Sequence, residues 1–332
     1  MRAARLHGPG DLRIDEVQDP VAGPGEVVLA IRAATSCGTD VKSVRHGHPS
    51  LGPYPARLGH EFAGVVESVG EGVSNVAPGD AVFCADSAPC GACAQCARGR
   101  ESLCEDLQYL LGGFAEKLLV PERVARVNLH PLPDAVPMAL APVAEPLACA
   151  LHALDALPPC AGERVVIVGG GSLGQMLCGL AASAGAHPVV LDPHPERLEA
   201  ARAFGAAETV LATRSLDDVA RVGRAELVIE AVGRPETWEL AVALAAPGGT
   251  VNLFGGCPRG TTFTVPTARV HYEQVTLLGT YHHAPRYIAR ALAVLAAGEH
   301  PWASLLGPAV TLEELPERLA RSGPKLSVRT AP

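Results

Sequence analysis

Aromatic residues are scarce: Phe, Trp and Tyr together make up 4% of the 332-residue chain. That leaves little material for platforms on which nucleobases could stack. Positive charge is not in excess either. Lys and Arg number 27 against 35 Asp and Glu, a net charge of −8, whereas a nucleic-acid surface concentrates basic residues on one face. The opening stretch "MRAARLHGPGDLRIDE" has no apolar run of signal-peptide length. One uncharged run, Val165 to Ala186, is long enough to cross a bilayer. However, Gly169, Gly170, Gly171 and Gln175 interrupt it, and its apolar period changes midway. A strand, a tight turn and a helix explain it better. The expectation is a cytoplasmic protein that binds neither membrane nor nucleic acid. In a reducing compartment, clustered thiols hold metal more often than they form disulfides.

At 48% hydrophobic, the chain can bury a large core and is expected to form two domains. Its first part is β-rich: "DLRIDEV", "EVVLAIRAA", "FAGVVESVG" and "DAVFCA" are short runs separated by Gly, Pro and Asp turns. Near Pro142 the texture changes. "EPLACALHAL" has helical spacing, and from Arg164 strands ("RVVIVGG", "PVVLD", "AELVIEAVG", "TVNLFGG", "VTLLGTY") alternate with helices ("SLGQMLCGLAASAGA", "PERLEAARAFGA", "ETWELAVALAAPGG"). Such alternation implies a parallel sheet with helices on both faces. The C-terminal piece reads as helices in "APRYIARALAVLAAGE" and "LEELPERLARSG", closed by the strand "LSVRT".

Cys90, Cys93, Cys96 and Cys104 follow C-x2-C-x2-C-x7-C. Zinc takes four thiolates tetrahedrally, and cysteines this close in a turn suit it. Iron–sulfur ligation and disulfide or free thiols are the alternatives. A zinc with four protein thiolates has a closed shell, so this cage staples a loop and does not catalyse.

Three separated fragments offer a different set: "SCGTD" with Cys37, "GHE" with His60 and Glu61, and "EPLACALHA" with Glu145. One sulfur, one imidazole and one carboxylate suit zinc and leave a position open for water or an alcohol. Each fragment alone is weak, since a single cysteine is more often a packed small residue. Their joint occurrence beside the cage points to a metal site.

The run "GHEFAGVVESVGEGVSNVAPGDAV", with "SCGTD" before it and the cysteine loop after it, closely resembles the zinc-containing medium-chain dehydrogenases over essentially the whole chain. "EPLA" at the third-ligand position is more similar to the polyol branch, sorbitol or iditol dehydrogenases, than to simple alcohol dehydrogenases. The resemblance implies an α/β architecture. A β-rich GroES-like catalytic domain would span 1–148 and 282–332, and a doubly wound parallel-sheet Rossmann domain 149–281. It also implies two zinc ions per chain, one catalytic and one structural, with Cys37 and His60 as catalytic ligands. Glu61 or Glu145 would be the direct third ligand, the other bridged through water, or the two would exchange. Asp40 would orient the His60 ring, and Thr39 would relay the hydroxyl proton. Relatives often carry His at the next relay position, where this chain has Lys42.

Gly169-x-Gly171-x-x-Gly174, with Ser172 and Leu173 inside it, follows "RVVIV" and opens a helix, and Asp192 ends the next strand 18 residues beyond Gly174. Glycines there let the backbone approach a pyrophosphate, and the carboxylate accepts from the adenosine ribose. Asp192 would repel a 2′-phosphate, so NAD is expected over NADP. By resemblance Arg197 lies beside the ribose or adenine; otherwise it is a solvated helix charge.

The two sites imply hydride transfer between an alcohol and NAD, and the resemblance to the polyol branch implies a secondary alcohol of polyol, cyclitol or sugar type. An NAD-dependent simple alcohol or a threonine-type amino alcohol dehydrogenase is the alternative. A zinc-stabilised interaction scaffold would lack a catalytic ligand, and here both ligand sets are intact. By resemblance His282 stands where some sorbitol dehydrogenases carry an arginine near the polyol; Tyr109, Phe114 and Tyr281 are candidates to shape the pocket, though aromatics at such places are more often core. "QVTLLGTYHH" reads as an edge strand, and the resemblance implies a homodimer or homotetramer joined there, with Val275 and Leu277 near the contact.

Overall fold

The computed structural model describes residues 1–47, 51–213, 216–321 and 325–330. The chain divides into two compact units, Met1–Ala148 with His283–Pro332, and Cys149–His282.

The first unit is built on a seven-stranded sheet and a three-stranded one, antiparallel apart from one parallel pair at the edge. Val27–Thr35 is the central strand, buried at every position but Arg32. It pairs antiparallel with Glu61–Val69, so that Thr35 faces Glu61 across the ladder. Its far end receives Ser327–Arg329. The last residues of the C-terminal helical reading, Ser322 and Gly323, lie outside the described residues. Phe62, Phe83, Phe114, Leu29 and Ile31 fill the core with no exposure. Phe114 therefore packs inside, behind Gly59, where an added Cβ would meet it at under 3 Å. Of the two roles open to it, pocket or core, it takes the core. Tyr109 sits in a short strand with Gln108 and is 38% exposed.

The second unit is a six-stranded parallel sheet. In spatial order it runs Glu208–Leu211, His187–Asp192, Arg164–Val168, Ala225–Glu230, Ala245–Leu253 and Thr276–Gly279. In order of appearance this is 3-2-1-4-5-6, the doubly wound arrangement whose order reverses beside the first strand. "RVVIV" and "VVLD" are almost wholly buried, as strands covered on both faces must be. The helix Pro195–Ala203 opens with proline at its first position, where no N–H is needed.

Thr276–Gly279 is the edge strand. Val275 just before it is 4% exposed and packs into the unit's own core, with Leu277 partly buried against the same cluster. Their side chains thus face inward. The backbone edge, not Val275, is what this strand offers to a partner. Among the described residues, no helix is long and apolar enough to cross a membrane.

Candidate active site

The four cage cysteines are brought together by tight turns. Gly91 takes φ 75°, which favours glycine; the short helix Ala94–Ala97 carries Cys96, and the 3₁₀ turn Glu101–Leu103 delivers Cys104. The sulfur separations are 3.5 Å for Cys93–Cys96, 3.9 Å for Cys93–Cys104 and 4.0 Å for Cys90–Cys96. A tetrahedron of zinc–sulfur bonds near 2.3 Å has edges of about 3.8 Å, while a disulfide would need about 2.05 Å. The spacing fits one ion and no disulfide. Backbone N–H groups of Ala92 and Cys93 aim at Cys90 Sγ at 3.4 and 3.3 Å. They lower the Cys90 thiol, and the N–H groups of Cys96 and Glu105 pull Cys93 down to about 6. Donors of this kind favour the thiolate that a metal takes.

The second candidate metal centre is assembled from one helix start and one strand start. Cys37 precedes the helix Gly38–His46, and its N–H donates to Asp40 Oδ2 at 2.8 Å. Asp40 is buried, and its other oxygen lies 3.2 Å from His60 Nδ1. A carboxylate only accepts, so this contact keeps a proton on Nδ1 and leaves Nε2 to face a metal. Burial disfavours the charged ring, but Asp40 and Cys37 outweigh it and hold His60 well above its ordinary range. A metal must displace that second proton. Ligand atoms of Cys37, His60 and Glu61 lie within 4.8 Å of one another.

Glu61 supplies the test of fit. Its Oε2 accepts from Thr35 Oγ1 and from Lys325 Nζ. Its Oε1 is buried with no hydrogen-bond partner. An unsatisfied buried carboxylate oxygen is costly, and a cation among Cys37, His60 and Glu61 would satisfy it. Thr39 Oγ1 stands 3.8 Å from Cys37 Sγ on the exposed first turn; Lys42, one turn on, is exposed.

Lys325 had no signal in the sequence. It is 6% exposed, donates to Ser36 O at 2.9 Å and pairs with Glu61. Burial opposes its charge, yet Glu61 and Cys37 keep its ammonium above the ordinary lysine range. Glu145, in the first turn of the helix Ala144–Asp155, gathers with Asp86 and His283. Its carboxyl is pushed up to about 7, by burial first and then by Asp86, against the opposing pull of His60 and His283. Glu145 is therefore a neighbour of the Cys37 site, while Glu61 stands inside it.

In the second unit, Gly169 turns at φ 109° after the strand Arg164–Val168. A Cβ on Gly174 would lie 1.8 Å from Gly169 O, so the helix Ser172–Ser183 packs against the strand end only with glycine there. A Cβ on Gly171 would meet nothing within 4 Å, an open space at the helix start that suits close approach of a phosphate. Ser172 and Leu173 form the first helical residues. Asp192 is 2% exposed and accepts from the N–H groups of Gly170 at 2.8 Å and His194 at 2.9 Å. Arg197 Nη1 lies 3.4 Å from the same carboxylate and is half exposed. We expect Gly174→Ala to lower the stability of this unit by about 1–3 kcal/mol, read from a denaturant titration with unchanged slope.

Residues 23–134 match the alcohol dehydrogenase GroES-like domain, and residues 172–297 match the zinc-binding dehydrogenase family. Galactitol 1-phosphate 5-dehydrogenase of Escherichia coli K12 is 31% identical over 82% of this chain and 80% of its own. Sorbitol dehydrogenase of Bombyx mori is 30% identical over 98% and 97%. The chain belongs to the zinc-binding dehydrogenases. A member of this family from Sinorhizobium meliloti 1021, solved with NADP bound, superposes with TM-score 0.91 at 30% identity, covering 99% of this chain and 98% of that one. Family membership makes the chain a zinc-dependent alcohol oxidoreductase that uses NAD(P).

Proposed function

We propose that the protein interconverts a secondary alcohol and its ketone on a polyol, cyclitol or sugar, with NAD as the hydride partner. The observation that carries this is the Cys37–His60–Glu61 triangle with its one unsatisfied buried oxygen. The same chain holds a glycine turn with open space at Gly171. Zinc held in the triangle supplies Lewis-acid polarisation of the substrate hydroxyl. The protein does the rest. Cys37, His60 and Glu61 would hold the ion, and Asp40 fixes the ring of His60. Thr39, whose Oγ1 lies 3.8 Å from Cys37 Sγ, would pass on the hydroxyl proton. Gly169, Gly171, Ser172, Leu173 and Gly174 would cradle the pyrophosphate. Asp192 would take the ribose hydroxyls, with Arg197 beside it.

The polyol class is supported by the galactitol 1-phosphate and sorbitol relatives and by the carboxylate of "EPLA". The test is an NADH-production screen of the zinc-loaded protein against polyols, cyclitols, amino alcohols and short alcohols. Turnover strongest on a polyol or cyclitol is expected. Turnover confined to amino alcohols or short primary alcohols would overturn the substrate class.

Two zinc ions per chain should differ in lability. The cage shell is closed by four thiolates, whereas the Cys37 site keeps an exchangeable position. Graded chelation should remove one zinc together with activity while the fold persists. One zinc per fully active chain would contradict this.

The open edge of Thr276–Gly279 supports a homo-oligomer in which two sheets continue across a twofold axis through backbone hydrogen bonds. Light scattering coupled to size exclusion should give at least twice 34.3 kDa. A stable, active monomer would sink the interface and leave the chemistry untouched.

A further inference from the structure

Asp86 and His283 are 197 residues apart in the chain and meet as a buried pair, with His283 Nε2 2.8 Å from Asp86 Oδ1. His283 is 2% exposed and Asp86 5%. Asp86 accepts only, so the proton of this bond sits on Nε2. The same nitrogen is 3.9 Å from Glu145 Oε1, and ligand atoms of all three residues lie within 4.8 Å of one another. An imidazole thus stands between two buried carboxylates.

Both partners are fastened. Asp86 comes just ahead of the strand Ser87–Ala88, and its carbonyl accepts from the N–H of Leu110 at 2.7 Å. His283 immediately precedes Ala284, the N-cap of the helix Pro285–Ala297. That helix start is tied to the cysteine loop by Arg286, which reaches Glu101 at 2.5 Å and Gly99 O at 3.3 Å. Burying two carboxylates side by side is unfavourable unless something between them compensates. His283 lies against both carboxylates, beside the pull that His60 exerts on Glu145, and its backbone leads directly into a helix start.

The two carboxylates available to the metal are therefore held differently. Glu61 is gripped through Oε2 by Thr35 and Lys325, which leaves Oε1 toward Cys37 and His60. Glu145 lies beside Asp86 and His283, its Oε1 3.9 Å from His283 Nε2. We propose that Asp86 and His283 form a positioning pair that holds Glu145 back, so that Glu61 is the carboxylate presented to the metal at Cys37 and His60. Partners that touch a ligand without binding the metal commonly set its affinity and geometry. The inference rests on the zinc reading of the Cys37–His60 site.

The experiment replaces the exchangeable zinc by cobalt, with the cage left in zinc, and records the visible spectrum of the whole protein. Cobalt d–d bands report the ligand set, and a thiolate-to-cobalt charge-transfer band reports Cys37. The His283→Ala variant should release Glu145 and shift the d–d bands. Adding Glu145→Gln to it should return them toward the wild-type position. His283→Gln, which keeps an amide donor for Asp86, should stay near wild type. If His283→Ala does not fold, Asp86→Ala, which removes the acceptor that holds His283, carries the same two measurements. Unmoved bands, or a shift that Glu145→Gln does not reverse, would overturn the pair. Absence of the charge-transfer band in the wild type would instead sink the zinc reading itself.

Discussion

Cys37→Ala is expected to lower kcat/KM for alcohol oxidation by at least about 10³-fold, because Lewis-acid stabilisation worth roughly 4 kcal/mol corresponds to that factor. The residue sits at the N-terminal end of the helix Gly38–His46, and its backbone N–H bond to Asp40 Oδ2 does not depend on the sulfur. The helix start therefore survives the substitution. His60 and Glu61 alone would hold the ion weakly, and Glu61 would keep its bonds to Thr35 and Lys325. Metal analysis should find one zinc, in the cage, and the thermal midpoint should move little. Full activity in a Cys37→Ala protein containing one zinc would place the chemistry elsewhere.

The second large effect belongs to Asp192. Replacing it with Ser removes the charge that would oppose a 2′-phosphate and the acceptor for the ribose. Hydrogen bonds to a charged group are worth about 1.5–3 kcal/mol, so kcat/KM with NAD should fall roughly 10- to 100-fold by the tenfold-per-1.36 kcal/mol rule, while NADP improves. The carboxylate has a further duty. It receives the N–H groups of Gly170 and His194, which ties the Asp192 carboxylate to the glycine turn. The variant should also lose stability, and Asp192→Asn, which retains an acceptor, should lose less. Wild-type protein that uses NADP at least as well as NAD would contradict the assignment.

The sequence was most informative where its physics is local. "RVVIVGG" and "PVVLD" read as strands because β-branched runs bounded by glycine or aspartate have few other solutions, and they lie at Arg164–Val168 and His187–Asp192. The cage was legible because all four ligands fall within one turn-rich loop. The strand Arg2–Gly8 escaped notice: "RAARLHG" contains no β-branched residue, and pairing with Asp11–Glu16 is what makes it extended. Candidate metal ligands came from separate fragments that the fold brings together, but spacing could not choose between Glu61 and Glu145. That choice depends on Lys325, Asp86 and His283. Lys325 reaches Glu61 across 264 residues and His283 reaches Asp86 across 197, and contacts at such separations leave no pattern in a single chain. The apolar run around Val275 serves the unit's own core.

The most direct test of zinc-dependent hydride transfer is isotopic. A polyol deuterated at its carbinol carbon is offered to the zinc-loaded protein with NAD, and the reduced cofactor is analysed for deuterium. Deuterium should pass to the nicotinamide, and the transfer should stop when the exchangeable zinc is removed and resume when it is restored. Reduced cofactor carrying solvent hydrogen, or transfer that persists with the Cys37 site stripped of metal, would contradict the account.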